Sequence, residues 1–267
     1  MAADMKHLRT RIKSIDSTQH LTHAMGLVAS SKIRRANQQM EKAKEYALAL
    51  SQTVARLSAD PGCGRSAYLR RPQGERTLLV VIAGDRGMAG GYNANVLRLA
   101  KGYPQAQVIP LGKRAGERYG QAPISSEHFS YSQAKELAHR LCREFTQGQV
   151  DRIGIVSTKY ISMMQQEPQL SWLFPLPQPE KAAPGATEFE PDELTVLEHL
   201  MPEYLCAQLI KHLRESFACE VAARRVAMDN AGKNANEMLY RLGLEYNRAR
   251  QSAITQEITE IVAGSGR

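Results

Sequence analysis

Between Pro202 and the closing Gly264-Ser265-Gly266 the chain contains no proline and only two glycines, Gly232 and Gly243. Across that stretch apolar or small residues return every three or four positions: Leu205, Leu209, Leu213, Phe217, Val221, Met228, Ala231, Ala235, Met238, Leu242, Tyr246, Ala249, Ala253, Ile258 and Ile261. This is the period of one helical face, not the alternation of a strand. A helix of roughly sixty residues spans about 90 Å, far beyond the core of a globular domain. Its stripe must be covered by a second long helix, by a surrounding partner, or by both. Steps of four outnumber steps of three from Leu205 to Val221, so the spacing predicts a weaker or less even supercoil than a strict seven-residue repeat.

A second such stretch opens the chain. Leu8, Ile12, Ile15, Met25, Val28, Ile33, Ala36, Met40, Ala43, Ala47, Leu50, Val54 and Leu57 recur at helical spacing, until Asp60-Pro61-Gly62-Cys63-Gly64 stops the pattern. Two long amphipathic helices that bracket a central segment can pair antiparallel, each covering the other's stripe. The expected organisation is therefore a coiled-coil helix over residues 1–60, a central α/β domain over 61–192, and a second coiled-coil helix over 193–267.

The centre differs in kind. Residues 65–76, arginine-rich with Pro72 and Gly74, read as a linker. Thr77-Leu78-Leu79-Val80-Val81-Ile82-Ala83 is a short continuous apolar run, as in a strand buried on both faces. The turn Gly84-Asp85-Arg86-Gly87-Met88-Ala89-Gly90-Gly91 leads into a helix over 93–101. Further strands are expected at 107–111, 151–157 and 160–163, an extended piece at 124–129, and helices at 113–120 and 132–147. Strands alternating with helices argue an open, Rossmann-like α/β sheet. The five prolines between 174 and 191 mark an exposed connection back to the last helix.

Chemistry-bearing patterns are sparse. A glycine loop after a parallel strand can cradle a phosphate, yet this one lacks a Lys-Ser/Thr pair and the G-x-G-x-x-G spacing, and Asp85 would repel an anion. A structural turn is the better reading, with no cofactor site. His20 and His23 share a helical face without a third metal ligand, and no Ser-His-Asp or Cys-His set stands out. Cys63, Cys142, Cys206 and Cys219 have no paired spacing and fit reduced thiols. The net charge of +8 points to acidic partners. The basic run Lys32-Ile33-Arg34-Arg35 lacks interleaved aromatics and adjoins the small apolar face of Ala24, Met25, Val28 and Ala29, which suits a protein interface or simple solvation better than nucleic acid. No apolar run is long enough to cross a bilayer and no signal core precedes the first helix, so any membrane connection is expected to run through partner proteins, and a bacterial source is suggested.

Several stretches resemble the γ subunit of the F-type ATP synthase: Arg9-Thr10-Arg11-Ile12-Lys13-Ser14-Ile15 with Leu21-Thr22-His23-Ala24-Met25-Gly26-Leu27-Val28-Ala29-Ser30-Ser31-Lys32, then Ala222-Ala223-Arg224-Arg225-Val226-Ala227-Met228-Asp229-Asn230-Ala231, then Tyr246-Asn247-Arg248-Ala249-Arg250-Gln251-Ser252-Ala253-Ile254-Thr255-Gln256-Glu257-Ile258. Asp85-Arg86-Gly87 with Gly90-Gly91 and Asn93-Ala94-Asn95 is similar to a further landmark of that family. The likeness runs from about residue 5 to Gly264. Ala89 stands where a cysteine is frequent, and His20 and His23 replace basic residues. The resemblance implies a central rotor shaft without catalytic residues, cofactor or metal. It also implies partners: the α and β subunits of the catalytic ring, the ε subunit and the membrane rotor ring of c subunits. By position in the family's motifs, it implies ring contacts at Met25, Lys32, Arg250, Gln251, Thr255, Gln256 and Glu257.

Overall fold

A computed structural model describes residues 2–71, 74–121, 124–177 and 189–265. Helix α1, Ala2–Ser58, is followed by two 3-10 turns, Pro61–Arg65 and Ala67–Leu69. Then come β1 (Thr77–Ile82), α2 (Tyr92–Lys101), β2 (Gln107–Leu111), α3 (Lys113–Tyr119), α4 (Tyr131–Thr146), β3 (Arg152–Tyr160), β4 (Gln166–Phe174) and α5 (Glu193–Ser265). The chain forms two compact units: residues 1–30 with 224–267, and residues 31–223. Helices α1 and α5 contribute a segment to each.

In the larger unit the sheet order is β2-β1-β3-β4, with β1 parallel to both β2 and β3, and β4 antiparallel to β3. The unbroken apolar run of β1 is divided between two layers. Leu78, Val80 and Ile82 join Ile153 and Ile155 under Val54 and Leu57 of α1, Leu141 and Phe145 of α4, and Leu197, Met201, Leu205 and Leu209 of α5. Leu79 and Val81 face the other way, onto Val96 and Ala100 of α2. The long helices thus form one layer of the α/β sandwich in this unit. Lys44 pairs with Glu215 at 3.3 Å and Gln208 donates to Ser51 at 2.8 Å, which makes α1 and α5 antiparallel.

The smaller unit is an antiparallel helix pair. Gly26 sits against Arg225, Met228 and Asp229, and Gly232 against Thr22. The covered positions of α1 are Met5, Leu8, Ile12, Ile15, Gln19, Thr22, Gly26 and Ala29; those of α5 are Met228, Gly232, Ala235, Leu239, Leu242, Tyr246, Ala249 and Ala253. Both runs step by alternate threes and fours, the seven-residue seam of a left-handed coiled coil. The uneven supercoil expected from the 205–221 spacing therefore does not describe this segment. The same repeat leaves Val28 and Met238 outside, 55% and 52% exposed, and puts Ala29 and Leu239 in their place. Gly243 has no neighbour within 4 Å of where a Cβ would lie. Gly243→Ala should therefore stabilise this helix by about 0.5–1 kcal/mol through propensity alone. A thermal midpoint that falls on substitution would show that the glycine serves a packing role instead.

Several expectations need correction. The extended piece at 124–129 is a loop, turning at 126–128 and held by side-chain hydrogen bonds. The expected strand at 160–163 is the turn between β3 and a fourth strand at Gln166–Phe174, disguised by its polar residues and by Pro168, which an edge strand tolerates. The linker expected at 65–76 is anchored in the core at residues 66–69, while the described residues on either side of them are exposed. Ser66 and Tyr68 are buried, and the Tyr68 ring lies 5.1 Å from Phe174 and 6.0 Å from Phe145; residues 72–73 lie outside the described residues. Helix α5 carries Pro202 in its interior. Its first turn is capped by Asp192, which accepts from Thr195 N at 2.9 Å and from the Thr195 hydroxyl at 2.8 Å. Burial of Leu197, Met201 and Leu205 on the same side offsets the interior proline. Most of the proline-rich connection lies outside the described residues.

Candidate functional site

In an open α/β sheet a ligand normally enters at the carboxyl ends of the strands, where the connections from two adjacent strands run in opposite directions. Here that point lies between β1 and β3, which are neighbours in the sheet although β2 separates them in sequence. Helix α5 fills it. Glu220, only 4% exposed, lies against Gly84 so closely that a Cβ there would sit 2.6 Å from its carboxyl carbon. Beside it, Glu215 accepts from Tyr160 N at 3.1 Å and the Ser216 hydroxyl accepts from Thr158 N at 3.3 Å. The Ser157 hydroxyl and His212 Nδ1 share a hydrogen bond of 2.9 Å. Burial, with a smaller push from the Lys211 charge, lowers His212 to about 3, so its ring is neutral at ordinary pH. A Ser-His pair invites a catalytic reading, but both residues are sealed under α5, at 0% and 2% exposure. The pair pins helix to sheet.

The glycine loop is likewise consumed internally. Gly84 N donates to Asn93 Oδ1 at 2.8 Å, and Asn93 Nδ2 returns to Arg86 O at 3.1 Å, closing the turn. Asp85 accepts from Lys113 N and Ser126 N at 3.0 Å, from Glu127 N at 3.1 Å and from the Ser125 hydroxyl at 2.5 Å. Burial opposes its charge, yet these four donors prevail and hold its carboxyl below the usual range. A depressed carboxylate stabilises the fold above the unfolded value of about 3.9 and loses that contribution as pH falls through the folded value. Asp85→Ala orphans three backbone N–H groups and should cost about 2–4 kcal/mol. Asp85→Asn should flatten the acid limb of stability against pH. An unchanged denaturation midpoint for Asp85→Ala would refute this role.

Of the residues implied as ring contacts, Met25 is half-buried on α1 in the helix-pair unit. It stands in an outward apolar stripe with Leu21 and Val28, which are 57% and 55% exposed. Arg250, Gln251, Thr255, Gln256 and Glu257 are all exposed near the end of α5. There the Thr255 hydroxyl donates to Gln251 O at 2.9 Å and Gln256 Nε2 to Glu260 at 2.9 Å, both within the helix. Interleaved with them is a stripe the sequence reading did not single out as a site: Ile254, Ile258 and Ile261, 47%, 56% and 69% exposed. Lys32 belongs to the other unit, where Glu127 holds its Nζ at 2.7 Å. His20 and His23 are exposed, His20 lying 3.8 Å from Asp16 one turn away, and no cluster of metal-ligating side chains occurs among the described residues. All four cysteines are free and buried.

These features define a paired-helix protein whose α/β ligand crevice is closed by its own helix and whose helix pair leaves apolar stripes uncovered. The family described as ATP synthase matches residues 4–266. The ATP synthase gamma chain of Ruminococcus albus is 38% identical, covering 98% of each chain. The sodium ion specific gamma chain of Acetobacterium woodii is 33% identical, covering 99% of each. A chain in the Euglena gracilis mitochondrial ATP synthase structure comprising OSCP, F1 and c-ring superposes with a TM-score of 0.68 over 99% of this chain and 94% of its own; at 19% identity it supports the fold. The chain belongs to the ATP synthase γ-chain family. It is a central-stalk rotor subunit, and the chemistry on ATP lies in other subunits. It is a peripheral part of a membrane complex, and no helix among the described residues is long and apolar enough to cross a membrane.

Proposed function

We propose that the helix pair turns inside a ring of alternating α and β subunits, while the α/β domain carries the ε subunit and the c-subunit ring. The functional division follows the chain as residues 1–60, 61–192 and 193–267, two helical legs around a domain. The observation that carries this reading is the pair of outward apolar stripes, Leu21-Met25-Val28 on α1 and Ile254-Ile258-Ile261 on α5. Apolar faces of this kind on a helix already paired along its seam call for an enclosing partner. Smooth apolar contact also lets a shaft turn, because it is non-directional and favours no single angle strongly. The polar groups Lys32, Arg250, Gln251, Thr255, Gln256 and Glu257 supply the angle-dependent contacts, with Met25 between the two kinds. Each catalytic site meets a different face of the pair, and turning shifts each among its conformations in order. The excess positive charge steers the shaft toward acidic ring surfaces. The cytoplasmic face of a bacterial membrane is the matching location.

The test is reconstitution of the full chain with α and β subunits from the same source. A single large complex with ATPase above that of α and β alone, lost when residues after Tyr246 are deleted, supports the reading. A folded chain that fails to join the ring overturns it.

A further inference from the structure

One cavity in the larger unit shares only Lys32 with the proposed ring contacts. It measures about 460 Å³ and its wall includes Lys32, Arg35, Glu127, His128, Arg214 and Phe217. This is where the basic run of α1, singled out in the sequence, meets the loop between α3 and α4 and one turn of α5. Three cationic side chains share this wall with a single carboxylate. That carboxylate is already compensated: one oxygen of Glu127 lies 2.7 Å from Lys32 Nζ and the other 3.9 Å from Arg86 Nη2. Burial opposes the charge of Glu127, but the Lys32 hydrogen bond and the two cations hold it below the usual carboxylate range. Arg35 and Arg214 make no side-chain hydrogen bond or ion pair among the described residues, although Arg214 is half-buried.

A guanidinium withdrawn from water without a counter-charge loses hydration that an anion can restore, and two guanidinium forks match the oxygens of a phosphate. The volume lies within the roughly 300–1,000 Å³ of small-ligand pockets. Phe217, which packs on the buried cluster of Ala36, Met40 and Ala218, adds an apolar wall on one side. We propose that this cavity is a binding site for a phosphate-bearing small anion, with Arg35 and Arg214 as its main ligands and Lys32 shared between the anion and Glu127. The site is separate from the glycine loop, whose donors are spent within the turn, and it does not depend on the rotor role.

The test is calorimetric titration of the purified full chain with inorganic phosphate, pyrophosphate and ATP at about 0.15 M ionic strength, where nonspecific surface attraction is screened. Pyrophosphate or ATP should bind saturably at one site. Arg214→Ala should weaken that binding by about tenfold or more. Arg35→Ala should weaken it less, since its head is more exposed, and Arg241→Ala, an exposed arginine of the helix-pair unit, should leave it within twofold of the parent. Glu127→Gln removes the only carboxylate of the wall and frees Lys32, so it should tighten binding, a direction that damage to the fold would not produce. If ATP exceeds pyrophosphate and Phe217→Ala erases the difference, the organic moiety rests on Phe217; equal affinities mean that the phosphates alone are held. Absence of saturable binding up to several millimolar, equal loss in Arg241→Ala, or weaker binding in Glu127→Gln overturns the proposal.

Discussion

Gly112→Ala is expected to cost about 4 kcal/mol or more and to lower the thermal midpoint of the α/β unit by about 10 °C. Gly112 links β2 to α3 at φ +98°, a conformation that L side chains rarely adopt. A Cβ there would fall 1.9 Å from the Ala83 carbonyl oxygen and 2.7 Å from its carbon, both backbone atoms that no rotamer change can move away. The positions are also tied: Ala83 N donates to Leu111 O at 2.9 Å, Gly112 N to Ile124 O at 2.7 Å and Arg114 N to Gly84 O at 3.1 Å. Relief would have to separate the carboxyl ends of β1 and β2 and dislodge the loop that Asp85 organises. Circular dichroism on heating reads this directly. A midpoint within about 2 °C of the parent protein would mean that the junction is softer than its hydrogen bonds imply.

The largest functional effect is expected at the end of α5. Replacing Ile254 and Ile258 together by Asp should reduce stimulation of the ring's ATPase by about tenfold or more, through loss of apolar contact and burial of two unpaired charges. Both residues are about half exposed in the free chain, so its own stability should change by less than about 1 kcal/mol. The separation of the two readouts is the point of the experiment. Arg250→Ala is the companion variant: it removes a proposed polar contact while keeping the apolar stripe, and should change the angle-dependent steps more than assembly. Full stimulation by the Ile254→Asp, Ile258→Asp chain would remove the apolar stripe from the account of the shaft.

Much of this was legible in the residues because local patterning and tertiary structure agree. The long helices follow from apolar periodicity without proline, β1 from a run too short and continuous for anything but a doubly buried strand, and α4 from its stripe of Leu137, Leu141 and Phe145. Where local signals conflicted, packing decided. β4 carries glutamines and a proline because one of its edges is unpaired, and such a strand resists recognition from composition. The arginine-rich stretch after α1 reads as a linker, yet Tyr68 anchors it among Phe145 and Phe174, a contact no window of sequence reveals. Pro191-Asp192-Glu193 with Thr195 carries the signature of a capped helix at the start of α5, and the Asp192–Thr195 hydrogen bonds form that cap.

The sequence by itself determined that two long helices bracket an α/β segment, that they pair, and which family they serve, since period and motif are local properties. Tertiary structure alone decided which residues occupy the seam. Ala29 and Leu239 lie inside while the more apolar Val28 and the equally apolar-looking Met238 lie out, because the partner helix imposes a seven-residue repeat that side-chain hydrophobicity only approximates. It also decided what fills the sheet's open crevice. Glu215, Ser216 and Glu220 read along the chain as the polar side of an amphipathic helix, and only the approach of α5 to the ends of β1 and β3 turns them into the buried bolts that close the site. Contacts between residues far apart in sequence depend on which surfaces fold together, and that information has no local period to read.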